Sequence, residues 1–550
     1  MKTDSEIAKE TRLKPIEVIA AGLGIPPESL IPYGRNIAKV KAGLYNDLKG
    51  RPDGRLILIT SMSPTPAGEG KTTMTIGLAQ SLKLLGQKAA ACIRQPSLGP
   101  YFGAKGGATG GGYSQVLPPD DIAIQFTGDD YALTTSHNLV SSIIDNHIYH
   151  GNTLEIDTER ILWKRVSTVN DRALRSVVIS SGKAKGERVE EFQISAASEI
   201  MAVLCLSSDL KELKERAGKI VVAFRRNGTP VFLNDLNITG AVAALMRNAI
   251  NPNLVQSIEG APVFIHGGPF GNISLGCNSL ISTKLALKLS DYVLTEAGFA
   301  TELGAEKFFD ILCRQGSLRP STTVIVVTLK ALRYHGGSGD YRSKDLNAAV
   351  KGLENLKKHI ENIKLFGVPA IVAINRYLDD TEDEIEEIKK RIVALGTQAL
   401  IAETFESGGR GGLALAEEVI KSAKKENDFR FLYSEGDSIF DKIHKIAVDV
   451  YGAEGVELSN EAKTDLNVME GLGYGGLPVC MAKTPKSLSD NPLLLGRPEG
   501  FTVNVRRIRP AAGAGYLVAE CGGILLMPGL PMHPRAELID TDGEGNITGT

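Results

Sequence analysis

At 550 residues the chain is too long for a single hydrophobic core, so several domains are expected. Hydrophobic residues make up 43% and charged residues 23%, the balance of an ordinary globular protein. A net charge of -2, from 62 basic and 64 acidic residues, provides no bulk field to hold a nucleic acid or a membrane, so anionic ligands must be caught by local groups.

Residues 1–13 alternate charge and lack the apolar centre of a secretory signal. No run approaches the roughly 20 apolar residues needed to span a bilayer. Cysteines at 92, 205, 277, 313, 480 and 521 stand far apart, with neither a CxxC pair nor zinc spacing. They read as structural thiols of a cytoplasmic protein.

Short apolar runs rich in Val and Ile occur at 56–60, 89–93, 220–224, 262–266, 292–295, 323–327 and 369–374. Several are apolar throughout, the mark of strands covered on both faces. Amphipathic helical stretches lie between them. Met74, Leu78, Leu82 and Leu85 form one stripe, and Leu353, Leu356, Ile360 and Ile363 another. Ile385, Ile388, Ile392 and Leu395 form a third, opened by a capping box from Thr381 to Glu384. This alternation predicts an α/β fold: a large, mostly parallel sheet domain carrying a P-loop, with two smaller α/β or α+β domains. The expected divisions are 1–360 for the nucleotide-binding domain, 361–460 for a second α/β domain and 461–550 for a smaller strand-rich part. Ligands of such sheets bind beyond the C-terminal ends of the strands.

The first strand runs into Thr65-Pro66-Ala67-Gly68-Glu69-Gly70-Lys71-Thr72 and then a helix. Strand, glycine loop and helix in that order form a P-loop, whose backbone N–H groups cradle phosphate. Lys71 is expected to reach the outer phosphates of ATP and the Thr72 hydroxyl to bind Mg²⁺. Thr65 stands where the usual pattern begins with Gly. The competing reading is a glycine turn before an ordinary helix, and a P-loop alone says only that a nucleotide binds.

Arg94 follows the next strand. In a right-handed βαβ unit it falls beside the P-loop, where a planar guanidinium suits a transferring phosphoryl group or an acyl phosphate. Residues 103–113 then hold six glycines in eleven positions, Gly106 and Gly107 among them. Lys105, Tyr113 and the absence of a Ser-rich run favour an ordered loop over a linker.

With these pieces in order, the chain resembles the formate–tetrahydrofolate ligase family nearly end to end. The matching segments are 14–16, 33–34, 65–72, 94–100, 103–113, 126–129, 145–147, 170–175, 197–201, 266–270, 295–299, 335–337, 478–484 and 527–531. The resemblance implies ATP-dependent ligation of formate to tetrahydrofolate, giving 10-formyltetrahydrofolate, ADP and phosphate through formyl phosphate. By the same resemblance Lys71 and Arg94 stabilise the phosphoryl charge, Thr72 carries Mg²⁺, and the 103–113 loop lines the acyl pocket. Tyr377, after Ala373-Ile374-Asn375-Arg376, and Phe405, before Gly408-Gly409-Arg410-Gly411-Gly412, stand where the family sandwiches the pterin, usually with Phe and Trp. The 361–460 domain is thereby expected to contribute to the folate site. The family further implies a homotetramer and activation by a monovalent cation, with small-molecule partners only.

Three positions depart from the family pattern. Tyr131 and Leu275 each replace a histidine, and Arg410 replaces a glutamate. If either histidine position moves protons, another group such as Asp129 or water must act. His137, His147 and His266 read as structural rather than catalytic, and the roles of Glu199 and Glu296 stay open. Two other readings also stay open: a kinase or ligase acting on another small carboxylic acid, and a nucleotide- or folate-binding homologue without turnover.

Overall fold

The apolar runs assemble into the parallel centre of a 12-stranded sheet in a computed structural model that describes residues 2–103, 109–180, 187–545 and 547–549. Seven neighbouring strands run parallel, in the order Pro262–Ile265, Ala89–Ile93, Tyr292–Glu296, Arg55–Ser61, Pro320–Val327, Ala370–Asn375 and Gln398–Ala402. The other end is antiparallel, through Asn253–Ser257, Ile37–Val40 and Leu30–Tyr33.

Side chains alternate across a strand, so an all-apolar strand must feed two cores. Leu56 and Leu58 enter one core, Ile57 and Ile59 the other. Likewise Ala90 and Cys92 face the first, and Ala89, Ala91 and Ile93 the second. The P-loop helix Lys71–Leu84 covers the second face with Met74, Leu78 and Leu82. The helix Leu346–Leu365 covers the first with its predicted stripe of Leu353, Leu356, Ile360 and Ile363.

Three expectations need adjustment. The 220–224 run forms a strand, Val221–Arg225, but in a separate antiparallel sheet with Ile156–Ile161 and Pro230–Phe232. An apolar run specifies a buried strand without specifying which sheet receives it. The expected division at residue 360 falls inside the main sheet, because Ala370–Asn375 pairs directly with Pro320–Val327 and the charged helix is the crossover between them. The capping box does not form. Thr381 makes no side-chain cap bond, and Glu384 turns instead to the buried guanidinium of Arg333, at 3.2 and 2.7 Å. A buried cation needs its counter-ion more than an exposed helix end needs a cap.

A four-stranded sheet lies further along the chain, ordered Gly455–Leu458, Thr502–Ala511, Tyr516–Cys521 and Val479–Ala482. All six cysteines are buried and free of disulfides. Among the described residues, no helix is long and apolar enough to cross a membrane.

Candidate active site

The loop after Arg55–Ser61 turns back through Gly68 and Gly70, both with left-handed backbone, into the helix at Lys71. A side chain at Gly70 would also meet the Asn375 amide, 2.8 Å away. Thr65 is not among the positive-φ residues, so this position has no need of the glycine that usually stands there. Glu69 braces the loop from inside. Its buried carboxylate accepts from the Thr65 N–H at 2.7 Å and from the Thr328 hydroxyl. Burial holds its pKa above the ordinary range. No side chain caps the helix at its start, so its first N–H groups stay available for an anion.

Lys71 Nζ donates to Ser61 Oγ at 3.1 Å, and the Thr72 hydroxyl donates to Glu296 at 2.7 Å. Arg94 lies one strand further from the P-loop than a simple βαβ neighbour would, because Tyr292–Glu296 is inserted between the two. Glu296, at the C-terminal end of that inserted strand and 2% exposed, bridges the gap. Its other oxygen lies 3.8 Å from Arg94 Nε. Lys71, Thr72, Arg94 and Glu296 line one cleft of about 610 Å³, closed by Gly268–Gly271, Phe299, Pro485 and Lys486. Phe299 holds a left-handed φ of 62° there, a strained backbone of the kind that clusters at functional sites.

The Arg94 guanidinium is seated against Gly298, where an added Cβ would stand 3.0 Å from both Arg94 Nη1 and the Gly276 carbonyl. Gly298→Ala should therefore displace the guanidinium and slow turnover by about 10-fold while ATP affinity stays near wild type. Steady-state kinetics with a separate ATP titration would check this.

On the other side of the same loop, Tyr377 and Phe405 line a second cavity of about 440 Å³ with Ala67, Gly68, Gly70 and Thr73. Gly68, Gly70 and Thr73 line both spaces, so the two cavities adjoin across the P-loop turn. One face of Tyr377 carries Lys330, whose Nζ is 4.1 Å from the ring centroid. Burial, then Glu69 and nearby acidic groups, push the phenol up to about 12, so it stays protonated. Phe405 packs against the backbone of Gly111 and Gly112, and its carbonyl accepts from the Tyr113 N–H at 2.8 Å. Part of the glycine-rich loop thus supports the aromatic slot. Gly106 and Gly107 lie outside the described residues.

A model of the formate–tetrahydrofolate ligase family matches residues 2–550. The chain belongs to that family. Its reaction is accordingly the ATP-dependent ligation of formate to tetrahydrofolate. A solved structure of translation elongation factor SelB from Methanococcus maripaludis, in complex with the GTP analogue GppNHp, is also similar. The likeness covers 31% of this chain and 31% of that one, at 12% identity and a TM-score of 0.17, too slight to inform the fold.

The ligase's departures fall away from both cavities' walls. Tyr131 is 74% exposed on the helix Asp129–Tyr149, and Leu275 is buried in the larger core. Arg410 is exposed, and neither cavity includes it. Asp129, a possible substitute base, is committed to the buried Lys39 at 2.8 Å and to Asn253 at 2.9 Å. His137, His147 and His266 each hold local hydrogen bonds, as expected of structural side chains. His137 stacks on Trp163 and bonds Ser198, and His266 lies between Ser279 and the Ala249 carbonyl. Burial lowers their pKa values to about 3 and about 4. His147 accepts from the Leu154 N–H at 3.0 Å.

A further buried group escaped the sequence. His359 accepts from the Ser63 N–H at 2.9 Å and bonds Thr301 at 2.7 Å. Burial holds it neutral, which keeps that acceptor available. Glu302 lies 3.7 Å from His359 and 3.5 Å from Lys483, which precedes the cleft-lining Pro485 and Lys486. The P-loop approach is thereby tied to the 483–486 segment. A lone histidine on an amphipathic helix gives no sequence signal for such a tie.

Glu199 is also a brace, accepting from the N–H groups of Gly513 and Ala514 at 2.8 and 3.3 Å. Burial raises its pKa from 4.5 to about 7. The native state therefore binds more protons than the unfolded state across that window, and stability falls as pH rises through it. Glu199→Gln keeps an acceptor without a charge. Denaturant titrations should show the variant gaining on wild type by on the order of 2–3 kcal/mol between pH 4.5 and pH 8. Parallel stability curves would contradict this.

Proposed function

We propose that this ligase works in two steps within the joined cavities. A formate oxygen attacks the γ-phosphorus of ATP, the bond to the bridging oxygen breaks, and ADP leaves. The N10 amine of tetrahydrofolate then attacks the formyl carbon, the carbon–oxygen bond to phosphate breaks, and N10 loses its proton. Activation is needed because hydroxide is too poor a leaving group for direct amide formation, whereas phosphate leaves readily.

Lys71 and Arg94, which line one cleft, hold the charge of the transferring phosphoryl group and of formyl phosphate. The Thr72 hydroxyl and Glu296 carboxylate, 2.7 Å apart, are hard oxygen donors that fit Mg²⁺. That ion would neutralise phosphate charge when bound. Tyr377 and Phe405 sandwich the pterin. A homotetramer and a monovalent-cation requirement belong to the same proposal and rest on the family alone.

The observation that carries this reading is the shared wall. The cleft of Lys71 and Arg94 and the aromatic slot meet at Gly68, Gly70 and Thr73. Positional isotope exchange in ATP tests the first step. Exchange of the β,γ-bridging oxygen should require formate and proceed without tetrahydrofolate. Exchange seen only when tetrahydrofolate is present would contradict a free-standing phosphorylation step.

A further inference from the structure

Glu406 follows Phe405 directly and lines the aromatic slot, yet the two steps above leave it without a task. The other charged side chains of that wall are engaged. Arg376 pairs with Glu382 and Glu403 at 3.0 Å each, and Asp379 accepts from Lys330 at 3.2 Å. Glu406 differs: its Oε2 is shut off from solvent and, among the described residues, has no hydrogen-bond partner. Burial holds this carboxyl above the ordinary range, opposed by its own backbone N–H and by Arg376, with Glu403 adding to the rise.

A shielded carboxylate oxygen without a donor is unfavourable, so the side chain gains by turning into the slot it lines when a ligand there supplies donors. The ring proposed for this slot carries suitable donors. The pyrimidine edge of a reduced pterin presents N3–H beside a 2-amino group, two N–H groups spaced for the two oxygens of one carboxylate. Resting on the slot reading, we infer that Glu406 grips the N3–H and 2-amino edge of the pterin and sets the ring's rotation between Tyr377 and Phe405. The aromatic faces fix the plane of the ring. The carboxylate fixes its direction within that plane, and so where N10 points.

Glu406→Gln preserves volume but offers one acceptor and an NH₂ that opposes a ligand donor. Equilibrium binding of tetrahydrofolate should weaken by roughly 10- to 100-fold, while unchanged ATP binding reports an intact fold. The 2-desamino analogue of tetrahydrofolate should lose a similar factor on the wild-type protein and little more on the variant. An equal loss for the analogue on both proteins would overturn the inference. So would normal tetrahydrofolate binding by the variant when Tyr377→Ala and Phe405→Ala weaken it, an outcome that leaves the slot standing. Normal binding by those two aromatic variants as well would remove the slot reading, and this inference with it.

Discussion

Replacing Lys71 by alanine is expected to lower kcat/KM for ATP by about 10³-fold or more, with tetrahydrofolate affinity within a few-fold of wild type. Lys71 opens the P-loop helix, where uncapped N–H groups already favour an anion, and its ammonium group is held at the cleft by Ser61. The γ-phosphate is charged already in bound ATP, but negative charge shifts toward the β,γ-bridging oxygen as that bond breaks, so a cation held at the outer phosphates acts chiefly on the transition state. Removing one preorganised donor from such a site typically costs about 10²- to 10³-fold, and a full positive charge contributes more. The slot of Tyr377 and Phe405 lies on the far side of the loop and does not include Lys71. Rapid-quench kinetics and a separate folate titration would check both halves. Turnover within 10-fold of wild type would remove Lys71 from the proposed chemistry.

Arg94→Ala should reduce formyl transfer by about 10²- to 10³-fold, again with tetrahydrofolate binding kept. Arg94 Nε is shielded and has no hydrogen-bond partner among the described residues, and its nearest anion, Glu296, stands 3.8 Å away. An arginine used only to neutralise Glu296 would be drawn closer than that. The spacing suits a guanidinium awaiting a second anion. Arg94→Lys restores the charge but not the planar fork, so it should recover no more than about 10-fold of the loss. Single-turnover transfer from ATP, formate and tetrahydrofolate measures this. Full recovery by lysine would mean that charge alone matters, and an equal loss of folate affinity would place Arg94 at the folate instead.

Local signals carried well from sequence to structure. The geometry of the P-loop is readable because strand, loop and helix are contiguous, and the placement of Arg94 on the cleft wall because it follows the end of a parallel strand. The stripes of the helices Lys71–Leu84 and Leu346–Leu365 bury as their spacing dictates. Strand order was not readable. Nothing near Arg94 announces that Tyr292–Glu296 will insert beside it, so the sequence alone marks Glu296 as an acidic residue and not as the bridge between Thr72 and Arg94. The expected division at 360 has a related cause: a long charged helix resembles a boundary, yet here it is a crossover inside one sheet. Glu406 is silent because a charge beside a glycine-rich stretch reads as solvated. Only the packing of Phe405 against Gly111 and Gly112 turns that loop into a cavity wall.

The most direct test is a crystal structure of the ligase with a non-hydrolysable ATP analogue and tetrahydrofolate bound together. The terminal phosphate should lie within hydrogen-bond reach of Lys71 and Arg94, with the pterin between Tyr377 and Phe405 and its N10 side toward the shared wall at Gly68 and Gly70. A pterin bound elsewhere, for example in the 910 Å³ groove lined by Arg160, Phe224 and Arg507, would contradict the joined-cavity account.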